Sequence, residues 1–424
     1  MTRVIHTGDT HLGYQQYHLP QRREDFLEAF RRVAADAVEE GVDAVVHAGD
    51  LFHDRRPTLP DIMGALSVLR DLDDAGIPFL AVVGNHESKR DAQWLDLFES
   101  LGLATRLGPE PVSVGDVAVY GLDFVARAER EDLAYDFADH DREYAALVSH
   151  GLFQPFDHGD WDAREVLAGA DVRFDALLLG DDHTPQTKRV EDPHDAWLTY
   201  CGSTERASAD EREQRGYNLV AFGDDAPDPP AEGVDIRRRA LDTREFVFVD
   251  VELGPGEGVA RVRERVTQEE LTDAVVVVSI SGEGEPVTPA TVEEAAAEAG
   301  ALTTRVSDRR ELADERDADV SFADPDDAVR DRVRDLGLSP AARDLDETVR
   351  ASKVADSNVA SEVERRVRDL VENGETDAFR PAGEADSEAA DTSEAADGGE
   401  PADGGTDGKD SGDGDSQVTM EDYL

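Results

Sequence analysis

Five short segments share one pattern: Asp9-Thr10-His11, Gly49-Asp50, Gly84-Asn85-His86-Glu87, Ser149-His150 and Gly180-Asp181-Asp182-His183. Each sets Asp, His or Asn just after an apolar run that reads as a buried strand. Carboxylate and imidazole together suit Mn²⁺, Mg²⁺ or Fe²⁺, whereas a Cys-rich set would indicate zinc or an iron–sulfur cluster. An Asp and a His two positions apart at a strand exit, as Asp9 and His11 are, can address one ion. Asp50 is placed to bridge two ions. Asn85 is neutral and limits the negative charge, and His150 with Asp181 and His183 completes two coordination shells. Two ions about 3.5–4 Å apart clamp the attacking and leaving oxygens of a phosphoryl centre. The chemistry predicted is metal-dependent phosphoester hydrolysis.

Each fragment alone has an ordinary explanation. Asp after a strand is commonly a turn former or helix cap, and a lone His is more often a hydrogen-bonded polar residue. Gly84-Asn85-His86 is more specific, because Gly admits close backbone approach and Asn-His has no turn advantage. What decides is all five in this order, each at a strand exit.

The elements that must position these residues follow from apolar periodicity. Strands are predicted over 3–6, 43–47, 78–83, 145–149, 176–179, 197–201 and 217–222, with a hairpin over 112–124 around Gly115-Asp116. Phe26, Ala29, Phe30, Val33 and Ala37 mark a helix over 22–40, and a second helix spans 61–73. Residues 1–222 thus read as an α/β sandwich with polar loops at strand carboxyl ends, where such folds place ligands. After an Asp- and Pro-rich linker at 223–233, residues 234–322 read as a smaller α/β unit. Its strands are expected at 246–251, 274–280 and 302–306, and its helices at 258–268 and 292–299.

Residues 326–375 have helical patterning only, with Val329, Val333, Leu336 and Leu338, then Val359, Val363, Val367 and Leu370. Such stripes cannot close a core alone. They read as a helical pair for a partner, the alternative being docking on the chain's own surface. Residues 381–416 are mostly Asp, Glu, Gly, Ala and Ser without an aromatic, a composition expected to be disordered. Residues 417–424 then regain Val, Met, Tyr and Leu.

The formal charge of −54 over 424 residues comes from 97 acids against 43 bases, and only Lys89, Lys188, Lys353 and Lys409 are lysines. Such a surface suits molar salt, where the Debye length falls to about 3 Å, and predicts a halophilic source. Proteins normally gain affinity for nucleic acid by releasing counterions with Lys and Arg, so net charge by itself argues against that partner. The single cysteine, Cys201, forbids an internal disulfide. No signal peptide and no apolar run approaching about 18 residues is seen, so a cytoplasmic protein with no membrane contact is expected.

The order D-x-H, GD, GNH(E), H, G-x-x-H resembles the calcineurin-like metallophosphoesterase superfamily. Asp9-Thr10-His11-Leu12-Gly13-Tyr14, Tyr17, Arg22, Asp25-Phe26 and Ala29-Phe30 are more specific. With Gly49-Asp50-Leu51-Phe52-His53 and Tyr200-Cys201-Gly202-Ser203-Thr204-Glu205, they resemble the Mre subunits of Mre–Rad double-strand-break repair nucleases. The resemblance is close over 1–220, architectural over 240–375 and absent over 381–416. It overrules the objection from charge: bound metal and local Arg clusters would supply the positive potential.

The resemblance implies a four-layer αββα sandwich with a DNA capping domain at 234–322 and a helical ATPase-binding segment at 326–375. It implies two Mn²⁺ per chain, Mg²⁺ being possible. Metal one would take Asp9, His11, Asp50 and His183, and metal two Asp50, Asn85, His150 and Asp181. His86 would be the non-ligand histidine that orients the scissile phosphate and helps protonate the leaving oxygen, with His53 nearby on the DNA path. The implied activity is 3′→5′ exonuclease and single-strand endonuclease cleavage of DNA, under a Rad-type coiled-coil ATPase. The implied assembly is a homodimer through helices of the nuclease domain, 61–73 and 92–101 being candidates. One departure matters: the family usually shows G-H-x-H, where this chain has Gly180-Asp181-Asp182-His183, so a carboxylate replaces an imidazole and Asp182 is a substitute to weigh against Asp181.

Gln417, Met420, Tyr423 and Leu424 resemble the sliding-clamp (PCNA) peptide pattern, with Leu in place of the last aromatic. Two rival functions stand beside the nuclease: an end-tethering scaffold with minor cleavage, and a small-nucleotide phosphodiesterase on the same fold.

Overall fold

The computed structural model describes residues 1–89, 92–223, 233–308 and 310. The ATPase-binding segment expected at 326–375, the acidic linker at 381–416 and the clamp peptide at 417–424 lie outside the described residues, as does most of the linker at 223–233.

Two six-stranded sheets face each other. In spatial order the first holds Val234–Ala240, Gly216–Phe222, Thr2–Thr7, Ala44–His47, Phe79–Ala81 and Thr105–Arg106. The second holds Gln186–Val190, Ala196–Tyr200, Ala176–Gly180, Tyr144–His150, Val117–Leu122 and Val112–Val114. Their centres are parallel, Ile5 opposite Val45 in one and Leu177 opposite Leu147 in the other. Parallel strands covered on both faces read as continuous apolar runs, as AVVH at 44–47 and YAALVSH at 144–150 do; both are buried throughout.

Alternate side chains feed different layers. Val4, Val46, Val119, Val148 and Leu178 meet between the sheets. Ile5, Val45 and Phe79 face Phe30, Val33, Val68 and Leu72 of the helices Pro20–Glu40 and Leu59–Asp74. Leu147, Leu177 and Leu198 face Val166 and Leu167 of the helix Ala163–Gly169. The result is the four-layer αββα sandwich. The helix Leu59–Asp74 is started by a capping box between Thr58 and Asp61, which satisfies orphan backbone donors.

The smaller unit is a three-stranded parallel sheet, Phe246–Leu253, Val275–Gly282 and Thr303–Asp308. Val262, Val266, Val292 and Ala296 of its two helices cover one face. Phe246, Phe248, Val275 and Val277 turn the other face toward Tyr17 and Ala209. Val234–Ala240, which the sequence reading placed in this unit, is instead the edge strand of the first sheet, with Val220 opposite Ile236. Its exposed arginines hid it, because edge strands carry charge. Gln186–Val190, another charged edge, was not anticipated for the same reason. No described helix is long and apolar enough to cross a membrane.

Arg22 is fully buried where the two units meet. It pairs with Asp25 at 2.6 Å and Glu205 at 3.2 Å, donates to Gln16 Oε1 at 2.9 Å, and lies 5.0 Å from the Phe246 ring centre. Truncation would leave the buried Glu205 carboxylate unpaired, a change that costs about 3–5 kcal/mol. Arg22→Ala should lose that much in chemical unfolding at molar KCl. Arg31→Ala, at a 40% exposed ion pair with Glu24, should lose under about 1 kcal/mol.

Candidate metal centre

The segments singled out in the sequence meet at the carboxyl ends of the parallel strands. Leaving the strands, the chain must turn sharply, and four residues sit at positive φ: Asp9 at 48°, His11 at 42°, Asp50 at 57° and Asp181 at 93°. Non-glycine residues there cost about 1–3 kcal/mol each and persist only where the surroundings over-determine them. The surroundings do so here. Asp9 N donates to Gly49 O at 3.0 Å, His11 N to Asp50 O at 3.0 Å, and Asp181 N to Asp9 Oδ1 at 3.1 Å. Gly84 and Gly180 make room: a Cβ on Gly84 would collide with Asp50, and one on Gly180 with the Ala48 carbonyl.

The donor atoms converge. Asp9, His11 and His183 offer ligand atoms within 4.8 Å of one another, and so do Asp9, Asp50 and His150. Asp9 is common to both groups. Asp50 also lies between them, its Oδ2 being 3.9 Å from His11 Nε2 and 3.6 Å from His150 Nε2. Asn85 Oδ1 is 3.0 Å from His150 Nε2, and Asp181 Oδ1 is 3.7 Å from it. Asp182 turns away, accepting from Thr184 N and Gln186 Nε2 at 2.9 and 2.8 Å. All seven ligands expected from the sequence are therefore brought together, and Asp182 is not among them.

In two of the three candidate histidine ligands the second nitrogen fixes the ring, whereas His11 Nδ1 is buried without a partner among the described residues. His150 Nδ1 donates to Ala48 O at 2.8 Å, and His183 Nδ1 to Glu211 Oε1 at 2.7 Å. Both Nε2 lone pairs are thereby turned inward, as metal-ligating histidines require. His11 Nε2 and His183 Nε2 stand 3.0 Å apart. Two inward lone pairs, beside the buried carboxylates Asp9 and Asp50, fit a divalent cation. No thiolate takes part: Cys201 is buried with its thiol pKa pushed up by burial.

The electrostatics show what a cation would relieve. Burial, reinforced by Asp50 and Asp181, raises the Asp9 carboxyl to about 6 against the pull of His183 and His150. Burial alone would lower His150, but Asp50, Asp181 and Asp9 outweigh it and hold its pKa at about 9. Burial likewise opposes His183, which Glu211 and Asp9 raise to about 9. Burial and then Asp50 push Glu87 to about 8.

These shifts carry a sign. Glu87, His150 and His183 have folded pKa values above their ordinary 4.5, 6.5 and 6.5, so their proton-linked stability is present at lower pH and is lost as pH rises through about 8–9. His6 and His47, held near 3 by burial, act only below pH 6.5. Metal-free protein should therefore lose thermal stability from pH 7 to pH 9. A divalent cation would take the place of the His150 and His183 protons, so the gap in Tm between Mn²⁺-loaded and EDTA-treated protein should widen over the same range. Scanning calorimetry at pH 7, 8 and 9 checks this, and a constant gap contradicts it.

Around the ligands lies a second ring of imidazoles. His86 Nδ1 bonds His53 O at 2.8 Å, and its Nε2 is 4.0 Å from Asp50 Oδ2 at the 30% exposed mouth. His53 stacks on Tyr14 with ring centres 3.9 Å apart. Burial, then the neighbouring His86, lowers the His53 pKa to about 4, so its ring is neutral. His47, expected in the core or behind Asp50, accepts from Gly49 N at Nδ1 and contacts Thr10 Oγ1 at 3.1 Å, bracing the first two loops.

Sequence reasoning missed two carboxylates. Glu87 accepts from Phe52 N at 2.9 Å and Gly84 N at 3.3 Å, tying the second and third loops together; the motif showed it without showing its task. Glu211 gave no signal in a chain where acids are everywhere.

Residues 2–185 match the calcineurin-like phosphoesterase family. The chain is 62% identical over 395 residues to the DNA double-strand break repair protein Mre11 of Haloferax volcanii, covering 92% of this chain and 87% of that one. It is 59% identical to the Mre11 of Halobacterium salinarum, covering 88% and 95%. It is 42% identical to the Mre11 of Methanosarcina acetivorans, covering 87% and 61%.

Proposed function

The chain belongs to the Mre11 family of DNA double-strand break repair proteins, and from that premise we propose that it is a Mn²⁺-dependent DNA nuclease with 3′→5′ exonuclease and single-strand endonuclease activity. The observation that carries the reading is the pair of donor groups, Asp9/His11/His183 and Asp9/Asp50/His150. In this proposal metal one is held by Asp9, His11, Asp50 and His183, and metal two by Asp50, Asn85, His150 and Asp181. Bound ions would supply Lewis acidity at phosphate oxygens and lower the pKa of water. His86, anchored through Nδ1, presents Nε2 to the substrate side and serves the leaving oxygen. His53 is neutral and stacked, and it shapes the DNA path.

The protein acts in the cytoplasm of a halophile, as a homodimer and with a Rad-type ATPase, in the same proposal. Support for the dimer is apolar surface on two helices that pack into one hydrophobic cluster: Leu59 and Met63 on Leu59–Asp74, Leu97 and Leu101 on Trp94–Ser100 and its C-cap. The sequence pattern at Gln417, Met420, Tyr423 and Leu424 supports clamp binding, which calorimetry of the 417–424 peptide in high salt tests directly.

The test of the main reading is cleavage of end-labelled duplex and single-stranded DNA at molar KCl, with and without Mn²⁺, alone and with the ATPase. Mn²⁺-dependent shortening from 3′ ends is expected. No cleavage under any condition, or full inhibition by a cyclic nucleotide at concentrations below that of the DNA, overturns it.

A further inference from the structure

The residues that clamp His183 also hold the small unit. Glu211 Oε1 accepts from the His183 ring at 2.7 Å, while Oε2 accepts from Ala207 N at 3.0 Å, Arg215 Nη1 at 3.2 Å and Ser203 Oγ at 3.4 Å. The fully buried Arg215 also donates from Nη1 to the His183 carbonyl at 2.9 Å. Ring and backbone of His183 are therefore both fixed by residues 203–215. The same stretch faces the three-stranded sheet. Arg206 donates to the carbonyls of Glu211 and Glu213 at 3.0 and 3.3 Å, and its guanidinium lies 5.2 Å from the Phe246 ring centre. Arg212 grips Asp250 with two bonds of 2.8 and 2.7 Å and lies 4.8 Å from the Phe248 ring centre. Ala209 packs into the cluster of Phe246, Val275 and Val277.

We propose that residues 203–215 form a strap through which docking of the small unit sets the orientation of His183, with Glu211 as the positioning residue that transmits it. The inference rests on the reading of His183 as a metal ligand. Glu211 is suited because an ionised carboxylate only accepts, and every neighbour named above is a donor. Glutamine fails in either orientation: its NH₂ meets the imidazole N–H, or else meets Ala207 N–H and Arg215. Whatever loosens the small unit releases Arg206 and Arg212, and with them the backbone that carries Glu211. Metal affinity at the His183 site then becomes a readout of the position of the small unit.

The experiment is a titration of the full chain with Mn²⁺ in molar KCl, with free Mn²⁺ followed by electron paramagnetic resonance. The site of Asn85, His150 and Asp181 is the internal reference. His183→Asn should weaken one of two sites. Glu211→Gln should weaken the same site by about 10–100-fold, as outer-shell partners of a ligand do. The combination Phe246→Leu with Arg212→Ala removes neither Glu211 nor Arg215, the side chains that bond His183, and it should weaken that site by about fivefold or more while sparing the reference site. Arg212→Ala alone, at a half-exposed position, asks the same question if the combination does not fold. Wild-type binding by the Phe246 and Arg212 variants overturns the strap. Wild-type binding by Glu211→Gln overturns the positioning role. Wild-type binding by His183→Asn overturns the reading of the site itself, and is thereby distinguished from failure of the strap.

Discussion

Asp50→Asn should reduce Mn²⁺-dependent DNA cleavage by about 10³-fold or more, the scale of losing a charge that organises the whole reacting centre. Asp50 is 1% exposed. Its Oδ1 accepts from His86 N at 3.0 Å, and its Oδ2 lies within 4.0 Å of the Nε2 atoms of His11, His150 and His86. Asparagine has the same size. Its oxygen can keep the bond from His86 N, which forces the NH₂ into the space where Oδ2 faces the imidazoles. A donor there repels a cation, and the negative charge that faces both His11 and His150 is gone. Bound Mn²⁺ should fall below two per chain. Asp182→Asn is the matched control: its side chain only organises the loop at Thr184 and Gln186, and cleavage should stay within about threefold of wild type, as for surface changes generally. Near-normal cleavage by Asp50→Asn would sink the two-cation reading.

The candidate ligands were legible because each follows an apolar parallel strand. Buried strands such as 44–47 and 144–150 leave a signal of continuous hydrophobicity, and a polar residue at the exit of such a run has few structural reasons to be there. The α/β sandwich was legible on the same grounds, with helices of strong periodicity such as Phe26, Phe30, Val33 and Ala37 alternating with the strands, and the four-layer αββα order followed from the family resemblance. What lay outside the sequence is contact between segments distant in the chain. Glu211 and Arg215 are two more charges in a chain of −54, and only folding sets them against His183. Val234–Ala240 was assigned to the wrong unit because an edge strand with three consecutive arginines, Arg237 to Arg239, looks like a linker. Positive φ at Asp9, His11 and Asp50 has no local signature either; it follows from crossed loop hydrogen bonds.

The fate of the arginines bears on the apparent conflict between acidity and a DNA substrate. Arg22 and Arg215 are wholly buried in ion pairs, and Arg206 and Arg244 bind the two units together. These cations hold the fold and are not available to phosphate.

His86→Asn should separate catalysis from everything else the protein does. The ring is held by Nδ1 on the His53 carbonyl at 2.8 Å, and its side chain is 30% exposed, so Nε2 points where a phosphate would arrive. It groups with His11 and His53, three imidazoles with no carboxylate among them, and lies outside both groups that contain Asp9, so both Mn²⁺ should still bind. His53 cannot replace it as a proton source, because burial keeps that imidazole neutral with a pKa near 4. Asparagine can preserve a hydrogen bond to His53 O and cannot deliver a proton. Loss of a positioned acid costs about 10²–10⁴-fold, so kcat should fall by that range with Mn²⁺ stoichiometry and DNA affinity unchanged. The variant then distinguishes nuclease from scaffold in the cell. If breaks are repaired normally by a protein that no longer cuts, tethering is the function that matters and the donor groups serve DNA binding. If repair fails along with cleavage, hydrolysis at this centre is the step that repair requires.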